Sequence, residues 1–233
     1  MRGTSAFSTR MEFPGNDSKI LSLHFHLNRV YAVHYNVYSV YMAKSTAHRI
    51  AEEARLLLDQ EGPEAVTMRR VAQAAGITAM AVYRHFPDRA GLLNALADAG
   101  FGELTARLSG IQKSKNIEKR LNTILDLYLE YALKNPRLFE LMFMTRRAGA
   151  RQYPVDFKTR QSPTANVAAE AIEDGMASGH FRKDNAWEIT FEMGALLQGM
   201  VMLYLGGRVA MEPEEFRAFC NRSFRRYFRG IRR

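Results

Sequence analysis

The chain has 233 residues, a net charge of +9 and a single cysteine, Cys220. With 47% apolar and 24% charged residues it has the composition of a globular protein of one or two domains, long enough to bury a full core. One cysteine excludes an internal disulfide and a multi-cysteine zinc cluster and suits a reducing compartment, and no run approaches the roughly 18 apolar residues of a membrane span.

Residues 1–41 stand apart from the rest. They hold four of the ten tyrosines (Tyr31, Tyr35, Tyr38, Tyr41) and three of the six histidines (His24, His26, His34). Their first 20 residues lack an apolar stretch of the kind a signal peptide needs, so the protein is expected in the cytoplasm. From Val30 to Tyr41, β-branched and aromatic residues mix without a helical period. A lone strand in an otherwise helical chain is a conflict between local and global preference. Two readings are open: translation that starts at Met42, or a mostly disordered arm.

From Thr46 the pattern is helical. Ile50, Ala54, Leu57 and Leu58 make one apolar helix face, stopped by Gly62-Pro63. Thr67 caps a short helix carrying Val71, Ala72 and Ala75, and Gly76 ends it. Thr78 caps another, running to about Phe86, and Asp88 caps a long one through Leu92, Leu96, Phe101, Leu104 and Leu108. Polar Gln112 to Asn116 forms a seam before an amphipathic helix with Ile117, Leu121, Ile124, Leu125, Tyr128 and Leu129. Pro136 suits the first turn of the next helix, Pro163 opens one ending at Gly179, and Asn185 caps one from Trp187 to Leu205. That helix is apolar on most faces and must be buried in its own chain or between two. Pro213 starts the last, with Phe216, Phe219, Phe224 and Phe228. There is no repeat and no strand–helix alternation. The fold class is all-α: an N-terminal three-helix domain over 42–100 and a second helical domain over 101–233.

The run from Thr67 to Phe86, TMRRVAQAAGITAMAVYRHF, carries the most information. Ala72 lets two helices approach closely, Gly76 supplies the positive φ of a tight turn, and Val71, Ile77 and Val82 plug a small shared core. A helix-turn-helix needs these features in this order. Residues 42–100 contain seven basic and seven acidic residues, so their net charge is zero. The acids Glu52, Glu53, Asp59 and Glu61 lie on the first helix, whereas Arg69, Arg70, Arg84 and Arg89 cluster around the turn. The asymmetry, and not the net charge, argues for double-stranded DNA as partner.

The run AAGITAMAVYRHFPDRAGLL resembles the DNA-binding signature of the TetR (tetracycline repressor) family, in which Tyr-x-His-Phe closes the recognition helix. The likeness is strong over about residues 46–100; the remainder agrees in length and helical character. It implies phosphate contacts from Thr67, Arg69, Tyr83, His85 and Arg89, the last standing where the family usually has lysine. Thr78 and the amides that follow it are implied backbone contacts. Ala79, Met80, Ala81 and Arg84 occupy base-facing positions, with Arg84 the candidate for a bidentate guanine contact.

The resemblance also implies an effector cavity between helices and a homodimer formed by the last two helices. Tyr128, Met142, Phe143, Met176, Trp187, Phe191 and Met200 are the candidate pocket residues, because methionine and aromatic side chains fill an adaptable apolar cavity. The same residues equally describe ordinary helical core. Phe191, Gly194, Gln198, Met202, Phe216 and Phe219 are the candidate dimer residues, with Gly194 and Gly199 permitting close packing. Trp187 followed by Gln198-Gly199 is similar to a family subgroup with Trp and then His-Gly, although Gln stands in place of His. No cofactor and no metal is expected, and no catalytic constellation or phosphate-cradling loop is found. Cys220 is expected as a small buried hydrophobe, and the arginines between Arg217 and Arg233 as a solvated helix face. The expected function is a ligand-responsive regulator, usually a repressor; the alternative is a DNA-associated dimer that senses nothing.

Overall fold

The computed structural model describes residues 45–233 other than 113 and 115, so the expectations for residues 1–41 and for a start at Met42 lie outside the described residues. Ten α-helices and one short 3-10 turn make up the described chain, with no strand among the described residues. They are α1 (Thr46–Glu61), the 3-10 turn (Pro63–Ala65), α2 (Met68–Ala74), α3 (Ala79–Tyr83), α4 (Arg89–Ser109) and α5 (Ile117–Lys134). After these come α6 (Pro136–Phe143), α7 (Val155–Lys158), α8 (Pro163–Ala177), α9 (Ala186–Leu205) and α10 (Pro213–Ile231).

Local chemistry explains most boundaries. Ser45, Thr67, Thr78, Asp88, Asn116 and Asn185 each accept a backbone N–H at a helix start. Pro136, Pro163 and Pro213 begin helices at positions whose N–H has no intrahelical partner. Two details differ from expectation. Helix α3 stops at Tyr83, and the backbone reaches Phe86 through a turn in which His85 and Phe86 N–H both donate to Val82 O. The 3-10 turn and α7 are additional; each is too short to show an apolar period. Helix α4 runs unbroken through residue 100, as the long helix expected through Leu108 requires.

Helix α4 packs against α1, α5, α6 and α8, while α9 lies on α8 and α10. Gly100 allows the closest approach: a Cβ there would sit 2.6 Å from Met142 Sδ and 2.9 Å from Leu138 Cδ2. A polar cluster joins the same elements. Arg55 on α1 donates to Asp59 at 2.6 Å and to Asn135 Oδ1 at 2.7 Å, and Arg137 donates to the Asp59 carbonyl at 3.2 Å. The fully buried Tyr131 places its hydroxyl 3.1 Å from both the Gly100 carbonyl and Glu103. Burial and the neighbouring Glu103 push that phenol above its usual range.

The end of the chain is pinned down. Arg182 N–H donates to Ile231 O at 3.0 Å, and Glu118 on α5 accepts from Arg232 Nε at 2.7 Å with His180 Nε2 at 3.2 Å. These partners, Arg232 first, hold the Glu118 carboxyl below the usual range. Cys220 is buried, and burial pushes its thiol up to about 11, the behaviour of an inert core residue. No helix among the described residues is long and apolar enough to cross a membrane.

Candidate DNA-binding site

Helices α2 and α3 form a helix-turn-helix held by small, specific contacts. Gly76 adopts φ 65°, and Ile77 N–H reaches back to Ala72 O at 3.0 Å, which closes the turn. Val71, Ala72 and Val82 are buried beneath it, and Ile77 packs against the same core. Burying Val82 sets the orientation of α3. Met80, 67% exposed, Tyr83, 49% exposed, and the exposed Arg84 and His85 are then left on the outer surface.

The candidate residues do not all share that surface. Ala79 and Ala81 are half-buried, and Ala79 packs against the core, so its methyl group is partly spent on the fold. The Thr67 hydroxyl accepts from Arg70 N–H and the Thr78 hydroxyl from Ala81 N–H, both at 3.2 Å, and each hydroxyl keeps its proton to donate outward. Arg69 is exposed and Arg70 is held by Glu61 through two hydrogen bonds of 2.9 and 2.6 Å. Arg89 departs most from expectation. Its Nε donates to Val66 O at 2.8 Å and its Nη2 to Pro63 O at 2.6 Å, so its donors already serve the loop between α1 and α2. Sequence reasoning missed this because the two carbonyls lie more than 20 residues away. Arg49 was also missed; it donates to the Ala75 carbonyl at 2.7 Å and braces the turn from α1.

The candidate pocket residues fall into separate groups. Tyr128 and Phe143 belong to one aromatic cluster with Phe139 and Phe101: Tyr128 lies 5.7 Å from Phe143, and Phe101 meets Phe143 edge-on at 5.0 Å. The Tyr128 hydroxyl is sealed from solvent, with Gln198 as its polar neighbour. Burial pushes this phenol far above its usual range. Met142 is buried on the other side, against Gly100. Trp187 sits under the Arg160 guanidinium, and Phe191 stacks on Tyr153 at 4.1 Å near the surface, away from any shared pocket with Tyr128 that the ring contacts reveal. Met200 is core. A cleft of about 560 Å³ between α4 and α5 is lined by Arg107, Gln112, Lys119, Arg120 and Thr123 among others, and contains none of the candidates. Met176 borders a second cleft of about 390 Å³ beside Phe181 and Arg182.

The candidate dimer residues also divide. Phe191, Leu196, Met202 and Leu203 leave large apolar side chains exposed along α9, and a Cβ at Gly194 or Gly199 would meet open space. Phe216, by contrast, is fully buried in its own chain and stacks on Tyr204 at 4.1 Å. It has no surface left to offer a partner. Phe219 is half-buried against the core and Gln198 turns toward Tyr128.

With this geometry in place, comparison with known proteins is decisive. Residues 50–96 match the family of bacterial regulatory proteins, tetR family, and residues 121–227 match the tetracyclin repressor-like C-terminal domain. The chain belongs to the TetR family. That family is one of bacterial regulatory proteins, and both of its matched regions fall on the helices described above. Among curated relatives, the nucleoid occlusion factor SlmA of Glaesserella parasuis is 32% identical over 87 residues, covering 37% of this chain and 43% of that protein. SlmA of Vibrio vulnificus is 32% identical over 90 residues, 38% of this chain and 46% of its own length. The match therefore spans less than half of these relatives. Among solved structures, a Rhodococcus sp. RHA1 protein of unknown function aligns with TM-score 0.66 at 24% identity, covering 81% of this chain and 96% of its own. The TetR-family regulator PfmR from Thermus thermophilus aligns with TM-score 0.56 at 21% identity, covering 74% and 95%. These likenesses extend the family fold over both halves of the chain.

Proposed function

We propose that this regulator is a ligand-responsive repressor that binds a palindromic operator as a homodimer and is released by a small apolar or amphipathic effector. The observation that carries the reading is the outer face of α3, where buried Val82 leaves Met80, Tyr83, Arg84 and His85 exposed together. Residues 42–100 read DNA, and residues 101–233 sense and pair. Met80 offers an apolar contact to thymine methyls, with Ala79 and Ala81 at its margins. Arg84 takes a guanine edge, while Thr67, Arg69, Thr78, Tyr83 and His85 meet the phosphate backbone.

Pairing follows from the exposed apolar stripe of α9, which is large for a surface facing water. Two recognition helices about 34–36 Å apart would enter successive major grooves. Effector binding in the second half shifts α4 and alters that separation, provided the effector prefers the form that does not bind DNA.

A second reading has one observation in its favour, the similarity to SlmA: a DNA-associated dimer whose second half meets another protein and senses no small molecule. Selection of bound sequences from a random DNA pool tests the first reading, comparing the wild type with Tyr83→Ala/Arg84→Ala. A palindrome enriched only by the wild type supports it; sequence-blind recovery by both proteins removes the recognition-helix assignment. A small-molecule screen for release of the selected palindrome then separates sensing from the second reading.

A further inference from the structure

The segment after α6 contains a side chain that packing alone does not explain. Met144, Thr145, Arg146, Ala148, Gly149 and Ala150 are exposed, and Arg147 alone turns inward. Its side chain is 6% exposed, and its Nη1 pairs at 2.9 Å with Asp98 on α4, which remains 55% exposed. The guanidinium lies 5.2 Å from the centre of the Phe101 ring. Its Nε is sealed from solvent and has no hydrogen-bond partner. Burying a guanidinium donor without an acceptor is costly, and a rim carboxylate at one end compensates only in part. The unused edge, on which Nε lies, is the side-on fork that grips both oxygens of a carboxylate.

Beyond Phe101 the surroundings are aromatic. Phe101 meets Phe143, Phe143 lies 4.6 Å from Phe139, and Tyr128 completes the cluster with its hydroxyl sealed from solvent beside Gln198. An unmatched, sealed guanidinium donor bordering a group of rings is expensive in a core whose only task is to be filled. The arrangement suits a ligand with one anionic end and an apolar body.

We infer that Arg147, Phe101, Phe143 and Tyr128 form the effector site and that the effector is a carboxylate on an aromatic or medium-length apolar body. This rests on the sensing role proposed above and adds the ligand class and the coupling. The carboxylate takes the Nε edge of Arg147 and partly neutralises the cation that Asp98 holds at Nη1, while the body lies against the rings. The weakened Asp98 pair loosens α4 from the 144–150 segment, and α4 is the helix that leads out of the helix-turn-helix. The rings are closed over one another in this structure, so the liganded form is a different packing that the effector selects by binding it better.

The test uses the full-length protein and four probes: phenylacetate and octanoate, with phenylacetamide and octanamide as their neutral counterparts. Thermal shift reports binding, and fluorescence anisotropy reports release of the selected operator. At least one acid is expected to bind and release DNA at a concentration about tenfold lower than its amide, a difference of about 1.4 kcal/mol. Arg147→Gln is expected to abolish that preference for the acid. Asp98→Asn, which removes the carboxylate already paired with that cation, is expected to tighten binding of the acid. A purely structural ion pair predicts otherwise: both substitutions lower the Tm and neither changes the ratio of acid to amide. Equal binding of acid and amide, both releasing DNA, overturns the carboxylate assignment and leaves the sensing role standing. Absence of binding by either acid at millimolar concentration overturns the inference outright, and the broader effector screen judges the sensing role independently.

Discussion

A guanidinium that reaches a base edge and one that reaches a phosphate lose different things when removed. Arg84 and Arg69 are both exposed beside the turn, yet only Arg84 lies next to α3. Arg84→Ala is expected to cost about 1–3 kcal/mol on the selected palindrome and to relax preference at one position. Arg69→Ala is expected to weaken all sequences alike and to lower the slope of log K against log salt by about one. Fluorescence anisotropy over a salt series reads both. Arg89 makes a third case, because its donors already hold Val66 O and Pro63 O. Arg89→Ala is expected to lower the Tm of the DNA-free protein, with Arg89→Lys only a partial replacement, since one ammonium lacks the planar fork that spans two carbonyls. An unchanged Tm with a reduced salt slope would instead make Arg89 a phosphate contact.

At the scale of elements, the approach of α4 to α6 is the most demanding contact. The missing Cβ of Gly100 is what admits Met142 and Leu138. Gly100→Ala gains helix propensity but must displace two buried side chains, and overpacking of this kind typically costs about 1–3 kcal/mol. Urea denaturation is expected to show a net loss of stability; a gain would mean that α6 yields easily and is not a rigid stop for α4. The caps belong to the same scale. Thr67, Thr78, Asp88 and Asn185 are legible as helix starts because each needs only the two or three residues that follow. The four-residue α7 is not legible, being held by its contacts: Phe157 packs edge-on to Tyr153 and to Phe191 of α9.

For the whole molecule, the apolar stripe on α9 is the surface on which the proposed pairing rests. Met202 is half-exposed, as is its neighbour Leu203. Met202→Asp is expected to shift the protein toward monomer in sedimentation equilibrium and to weaken palindrome binding far more than half-site binding. Retention of the dimer would move the interface to another face. Part of this arrangement was legible beforehand: a helix apolar on most faces must be covered somewhere, and Gly194 and Gly199 mark close approach. Phe216 is ambiguous in sequence, because an aromatic at helical spacing looks the same whether it packs inward or across a symmetry axis; in the fold it is buried and stacks on Tyr204.

Whatever depends on neighbours a few residues apart could be read from the sequence: the all-α class, the caps, the turn at Gly76 and the residues that α3 carries. Periodicity and capping act over one or two helical turns, so the chain records them directly. Tertiary structure alone decided which of those residues are free to act. Arg89 is spent on carbonyls more than 20 residues away, Gln198 turns toward Tyr128, and Arg147 folds under its own loop onto Phe101 and Asp98. Burial and hydrogen-bond competition between distant segments settle such questions, and a one-dimensional pattern carries no measure of either.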